Sequence, residues 1–99
     1  MAEEITVEEA LHRNAKALIA MDFGRLMADL TPEAMVKAMA LGGAMMQQLT
    51  EYQVLGHTQD GEDHIFELQY TGPSANITGG MRWRRIDGTW KVVDFWMAS

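Results

Sequence analysis

The spacing of apolar residues changes near Thr50, from a helical period to the alternation of strands. In the first half, apolar residues recur every three or four positions, which is typical of amphipathic helices. The first stripe consists of Val7, Leu11, Leu18 and Met21. Beyond Thr50, apolar and polar residues alternate in short runs between turn sequences, which is typical of antiparallel strands. The pattern therefore predicts an α+β protein whose helices precede its sheet.

Capping sequences predict where the helices begin. Thr6 and Glu9 have the three-residue spacing of a capping box at the start of the first helix. A short second helix is predicted over residues 22–30. Thr31 followed by Pro32 indicates the start of a third helix, because threonine caps helices and proline suits their first turn.

Four strands are predicted, over residues 49–58, 63–71, 76–86 and 89–97. Asp87-Gly88 suits a two-residue type I′ turn, because both residues tolerate positive φ. Residues 59–61 suit a three-residue loop with a left-handed glycine, and this register would place Val54 opposite Phe66. The sequence therefore predicts a four-stranded antiparallel meander, which a glycine pair in the third strand would allow to curve sharply.

Alternation along these strands divides the sheet into two faces. The inner face, toward the helices, is predicted to collect apolar and aromatic side chains with one carboxylate, that of Asp94. Its other members are Tyr52, Val54, Phe66, Leu68, Tyr70, Met81, Trp83, Trp90, Val92 and Trp96. The outer face is mostly polar but ends in Val93, Phe95 and Met97, which we expect to form a homodimer interface.

The composition narrows the class of protein. The 99 residues are expected to form one domain, residues 1–99, with a core large enough to be stable alone. A net charge of −6 disfavours nucleic acid and anionic membranes as partners, since both require a basic surface. No apolar segment is long enough to span a bilayer and the first residues are acidic, so we expect a cytoplasmic protein. The absence of cysteine removes disulfides and thiolate ligands, and we expect no cofactor.

The run WRRIDGTWKV, from Trp83 to Val92, ends a meander that follows a set of helices. This arrangement resembles the nuclear transport factor 2-like superfamily, which includes SnoaL-like polyketide cyclases and ketosteroid isomerase. Residues 20–33, AMDFGRLMADLTPE, are similar to the passage from the family's first helix into its short second helix. The resemblance implies a cystatin-like cone, in which helices close over a bent sheet around an apolar cavity. It also implies a dimer through the outer sheet face. This chain is short for the superfamily and resembles its compact members of unknown function.

The apolar sheet face and the methionines of the helices together suggest a Met- and Trp-lined pocket for a small apolar ligand. The residues predicted to line it are Asn14, Leu18, Met35, Met39, Phe66, Met81, Trp83 and Trp96. Asn14 lies in register with the buried stripe of the first helix, and a buried amide needs a partner. That partner could be a ligand, the backbone or Asp94.

Asp94 is the candidate general base, and Tyr52 and Tyr70 are the candidate donors to a developing oxyanion. An inward carboxylate would be partly desolvated, which would raise its pKa as acid–base catalysis requires. Alternatively, Asp94 lies at an open rim, where it is solvated or paired. The two tyrosines could equally be core aromatics with their hydroxyls at the surface.

The three histidines, His12, His57 and His64, are not expected to form a metal site. A third ligand is missing, and the predicted register does not place His57 opposite His64.

Three functions are compatible with these observations. The first is binding of a small apolar ligand in the cavity. The second is acid–base catalysis on a hydrophobic carbonyl compound, as in an isomerase or cyclase, with Asp94 as the base. The third is a dimeric interaction module that binds no ligand. A lone carboxylate without a convergent catalytic set favours binding, and whether the protein is an enzyme stays open.

Overall fold

The computed structural model describes residues 5–41, 48–73 and 76–97. Three helices come first: α1 (Val7–Ala20), α2 (Phe23–Asp29) and α3 (Pro32–Leu41). None of these described helices is long and apolar enough to cross a membrane. Four strands follow: β1 (Glu51–Asp60), β2 (Asp63–Thr71), β3 (Asn76–Ile86) and β4 (Thr89–Met97). They form a curved antiparallel sheet in the order β1-β2-β3-β4, so the predicted α+β architecture is confirmed.

Helix α1 begins at the predicted capping box. Thr6 Oγ1 accepts a hydrogen bond from the Glu9 amide, and Glu9 Oε1 accepts one from the Thr6 amide, both at 3.1 Å. The predicted stripe is buried at Val7, Leu11 and Leu18, whereas Met21 is 44% exposed. Met21 ends the helix in the left-handed conformation, and this backbone turn carries its side chain away from the core.

The junction between α2 and α3 is tied to the last strand. Leu30 forms a parallel bridge with Val92, and the Thr31 amide donates to the Val92 carbonyl at 3.1 Å. Thr31 Oγ1 also accepts a hydrogen bond from the Ala34 amide at 3.3 Å, so the predicted cap of the third helix is confirmed. These contacts position both helices against β4.

The β3–β4 hairpin closes through the predicted two-residue turn. Asp87 and Gly88 have φ of 52° and 78°, the positive values of a type I′ turn. Trp83 pairs with Val92, as this turn predicts.

One extra residue, Val93, then interrupts the ladder, because Arg82 pairs with Asp94. Beyond a one-residue bulge, the side chains that face each side of the sheet are exchanged. The predicted inner position of Asp94 is therefore wrong, and this carboxylate shares the outer face with Arg82. Phe95 instead pairs with Met81 on the inner face and is 7% exposed.

The predicted outer patch of Val93, Phe95 and Met97 is wrong for the same reason. Phe95 belongs to the buried core, and Met97 packs against that core. A homodimer through the outer face stays a prediction, without the apolar patch on which it rests in the sequence.

The β1–β2 hairpin has a shorter loop than predicted. Asp60 pairs with Asp63, which leaves residues 61–62 as a two-residue loop, so the prediction of a three-residue loop is wrong. A two-residue loop with regular pairing would turn Glu51 and Gln53 toward the core, which is why the sequence disfavours it.

A bulge at Leu55 removes this conflict. The register shifts between Val54 and Gly56, so the alternation of side chains reverses at that point. Val54 lies opposite Leu68 rather than Phe66, and it packs against the core.

One buried apolar cluster joins α1 to the inner face of the sheet. Trp83 and Leu11 are fully buried, and Phe66 is 2% exposed. Trp90 holds Ile5, which lies just before α1, against the sheet, because its Nε1 donates to the Ile5 carbonyl at 3.0 Å.

The outer face carries a buried carboxylate, that of Asp63, at the start of β2. Its oxygens accept hydrogen bonds from Arg84 Nε and Nη2 at 2.8 and 2.9 Å and from Arg82 Nε at 2.6 Å. The bonds from Arg84, and after them those from Arg82, outweigh the effect of burial and lower the pKa of Asp63 to about 2.

We predict that Asp63→Asn lowers the free energy of unfolding by about 1.5–3 kcal/mol at neutral pH, the value of hydrogen bonds to a charged group. Because the folded-state pKa of Asp63 is depressed, its contribution is present above about pH 4 and is lost as the pH falls through about 2. Urea unfolding of the wild type and of Asp63→Asn as a function of pH measures the gap between their free energies of unfolding. Asp60→Asn is the control and should cost less than about 1 kcal/mol, because Asp60 forms an exposed pair with Arg82. A gap that stays constant from pH 4 to pH 2 would contradict the prediction.

Candidate functional site

A cavity of about 290 Å³ lies between the helices and the bend of the sheet. This volume is near the lower end of the range of about 300–1,000 Å³ found for small-molecule sites. The helical wall consists of Asn14, Leu18, Phe23, Leu26, Met27, Leu30, Ala38 and Met39. The other wall consists of Leu49, Leu68, Tyr70, Ile77, Gly79, Gly80, Met81, Val92, Phe95, Trp96 and Met97. The lining is therefore almost wholly apolar.

The glycine pair of β3 brings two strands unusually close beside the cavity. A Cβ atom at Gly79 would collide with the backbone carbonyl of Trp96, and one at Gly80 would collide with the Trp96 indole. Glycine is therefore needed at position 79 for β4 to lie across the bend, and at position 80 it leaves room for the Trp96 indole.

Asn14 is the polar residue of the helical wall. It is 3% exposed, and its Nδ2 donates to Asp29 Oδ2 at 3.1 Å. Asp29 is 1% exposed, and Arg25 also donates to it at 3.2 Å. The partner of the buried amide is thus Asp29 at the end of α2, and the contact fastens α1 to α2 beside the cavity.

Tyr70 is the polar residue of the sheet wall. Its side chain is 6% exposed, and its hydroxyl has no hydrogen-bond partner among the described residues. Burial, and to a lesser degree the nearby Tyr52, raises the pKa of Tyr70, so the hydroxyl stays protonated at neutral pH. The Arg25 Nε and Trp83 Nε1 atoms also have no described partner, but neither residue lines the cavity.

The structure brings part of the predicted ligand set together. The predicted residues that line the cavity are Asn14, Leu18, Met39, Tyr70, Met81 and Trp96. Phe66 and Trp83 lie in the packed core instead, and Met35 is half-buried outside the lining. Tyr52 also lies outside the lining, and its hydroxyl contacts His12 Nδ1 at 2.6 Å.

Among the lining residues that the predicted set lacks, two groups differ in the signal that the sequence carries for them. Phe23, Leu26 and Met27 come from α2, and their helical spacing is a signal that the sequence does contain. Phe95 and Met97 reach the cavity only because of the Val93 bulge, for which the sequence carries no comparable signal.

Asp94 lies outside the cavity and is held by an ion pair. Lys37 Nζ donates to Asp94 Oδ1 at 2.7 Å, and the Phe95 amide donates to the same oxygen at 2.9 Å. The bond from Lys37 lowers the pKa of Asp94, whereas a general base at this position would need a raised one. The prediction of a desolvated inward base is therefore wrong. Among the described lining residues there is no carboxylate or imidazole.

No protein-family model matches the sequence, and no curated protein matches it significantly. Among solved structures, a de novo designed protein with a curved β-sheet is similar at a TM-score of 0.73 and 15% identity, covering 95% of this chain and 100% of the other. A nuclear transport factor 2-like protein of unknown function from Burkholderia xenovorans is similar at a TM-score of 0.64 and 17% identity. The match covers 94% of this chain and 83% of the other. Another such protein, from Cytophaga hutchinsonii, is similar at a TM-score of 0.65 and 13% identity. The match covers 98% of this chain and 94% of the other. The chain therefore has the nuclear transport factor 2-like fold, which confirms the predicted resemblance.

We predict that Gly79→Ala lowers the free energy of unfolding by about 1–3 kcal/mol, the usual cost of overpacking. The added methyl group meets the backbone of the neighbouring strand, which cannot move as a side chain could. Gly56→Ala in β1 is the matched control, because nothing lies within 4 Å of its added Cβ. Urea unfolding compares the two variants, and equal stabilities would contradict the prediction.

Proposed function

We propose that this protein binds a small, largely apolar molecule in the cavity between the helices and the bent sheet. The observation that carries the proposal is the lining, which is almost wholly apolar and includes Tyr70, whose buried hydroxyl has no hydrogen-bond partner among the described residues. Each methylene group moved from water into such a lining contributes about 0.8 kcal/mol. A cavity of about 290 Å³ suits a ligand of one or two rings rather than a drug-sized molecule.

The charges beside the cavity favour a neutral ligand. Arg25 is bound to Asp29, and Lys37 is bound to Asp94. A carboxylate or phosphate ligand would therefore lack a cation and would lose its hydration without compensation. A ligand with one acceptor oxygen, such as a ketone, ester or ether, would instead accept a hydrogen bond from the Tyr70 hydroxyl once the phenol turns toward the cavity.

Binding is favoured over acid–base catalysis, because Asp94 is paired on the outer face and no described lining residue is a carboxylate or imidazole. The interaction module loses its main support, because Phe95 is buried in the core.

We predict that filling the cavity abolishes binding. Ala38 lines the cavity, whereas Val36 on the same helix is 69% exposed and lies outside the lining. Thermal unfolding with a panel of small neutral ring compounds should show a rise in Tm for the wild type and for Val36→Phe, according to RT ln(1 + [L]/Kd). Ala38→Phe should remain folded by circular dichroism and show no rise. If Ala38→Phe is unfolded, Ala38→Leu serves as a smaller obstruction. A ligand bound equally by all folded variants, or no binding at millimolar concentration, would overturn the proposal.

We predict that Tyr70→Phe selectively weakens the binding of ligands that carry an acceptor oxygen. Indanone and indane are suitable probes, because they share a ring skeleton and differ in one carbonyl group. The substitution should lower the affinity for indanone about fivefold, since a net hydrogen bond is worth about 1 kcal/mol. The affinity for indane should not change. Titration calorimetry on both proteins gives the four affinities. Equal effects on the two probes would show that Tyr70 acts by packing alone.

A further inference from the structure

Two histidines meet outside the cavity, at the turn end of the β1–β2 hairpin. His57 pairs across the ladder with Phe66, and His64 pairs with Gln59, so the two histidines are diagonal neighbours. Their Nε2 and Nδ1 atoms, respectively, are 2.9 Å apart. The sequence predicts no such contact, and the register set by the two-residue loop produces it.

Aromatic neighbours hold both imidazole rings in place. The His57 ring stacks on Phe66, with centroids 4.1 Å apart and an interplanar angle of 15°. The edge of the His64 ring meets Trp90, with centroids 5.4 Å apart and an angle of 83°. Trp90 is itself fixed by its hydrogen bond to the Ile5 carbonyl. Two nitrogen donors are thus presented on adjacent strands with little freedom to separate.

The spacing of the two nitrogens matches that of neighbouring ligands on one metal ion. Two nitrogens at about 2.0–2.1 Å from an ion and at right angles to each other lie about 2.9 Å apart. A tetrahedral angle would instead separate them by about 3.3 Å at the same bond lengths. Right angles belong to the square-planar and tetragonal geometries of Cu²⁺ and Ni²⁺, and Cu²⁺ forms the stronger complexes of the two.

We propose that His57 and His64 form a chelating pair for a late first-row divalent ion, with Cu²⁺ bound more tightly than Ni²⁺ or Zn²⁺. The ion takes the place of the hydrogen bond between the two rings. The donor ring moves its proton to its other nitrogen by exchange with water, and small rotations of the rings direct both lone pairs at the ion. Among the described residues, no set of three or more potential metal-binding side chains is present, so water or a small exogenous donor completes the coordination. His57 is exposed, and the net charge of −6 favours approach of a cation.

Titration of the full chain with CuCl₂ in a non-chelating buffer tests the pair, with Trp emission and Tm as readouts. Bound Cu²⁺ should quench the emission of Trp90, which lies beside His64, with saturation at one equivalent. Tm should rise, because the ion binds the folded hairpin in preference to the unfolded chain. Parallel titrations with NiCl₂ and ZnCl₂ should give weaker binding, and tighter binding of Zn²⁺ would overturn the assigned geometry.

Substitution of one histidine at a time provides the matched controls. His57→Gln and His64→Gln should each weaken Cu²⁺ binding at least tenfold, because a chelate becomes a single imidazole. His12→Gln also leaves two histidines, but His12 contacts Tyr52 rather than the pair, so the affinity should be unchanged. The Tm measured without metal shows whether each variant is folded. If His57→Gln is unfolded, His57→Asn replaces it. Wild-type affinity in either pair variant, or no saturable quenching in the wild type, would overturn the proposal.

Discussion

The cavity depends on one extra residue in β4. Without the Val93 bulge, regular alternation would turn the Asp94 carboxylate toward the apolar lining and Phe95 toward solvent. Burial of an unpaired carboxylate costs several kcal/mol, whereas burial of a phenylalanine side chain contributes about 1.5–3 kcal/mol. Both effects therefore favour the bulged register. Lys37 strengthens this preference, because it supplies Asp94 with a partner on the outer face.

The helical wall of the cavity depends on tertiary contacts rather than on helix propensity. Helix α2 has 7 residues, which is too short for a helix to be stable alone. Two contacts hold it: the buried Asp29 accepts a hydrogen bond from Asn14 on α1, and Leu30 bridges to Val92 on β4. These contacts place Phe23 and Met27 at the cavity with 42% and 43% of their surface exposed, so apolar surface extends from the lining to solvent.

Features set by neighbouring residues could be predicted from the sequence, whereas the two bulges could not. The capping box at Thr6, the Thr31-Pro32 start and the Asp87-Gly88 turn each depend on short-range backbone chemistry. Val93 and Leu55 are ordinary strand residues, and nothing in their identity marks an interruption of the ladder.

Because strand alternation has a period of two, the unpredicted Val93 bulge exchanges the faces predicted for the residues that follow it, whereas the Leu55 bulge and the shorter loop compensate each other and leave Val54 against the core. One such reversal accounts for the errors at Asp94 and at Phe95. The need of Asn14 for a partner was predictable from the helical stripe, but Asp29 as that partner depends on how α2 packs against α1.

Tyr70 connects the stability of the empty protein to the affinity of the proposed site. Its buried hydroxyl lacks a described partner, and a buried donor left without one costs about 1–3 kcal/mol. Phenylalanine would fill nearly the same space without this cost, so the hydroxyl weakens the unliganded protein. An acceptor oxygen in the cavity would recover that free energy, and it would do so only for ligands that carry such an oxygen. At the proposed site, the same atom would therefore destabilise the empty state and would discriminate between apolar molecules of similar shape, which apolar contacts alone do poorly.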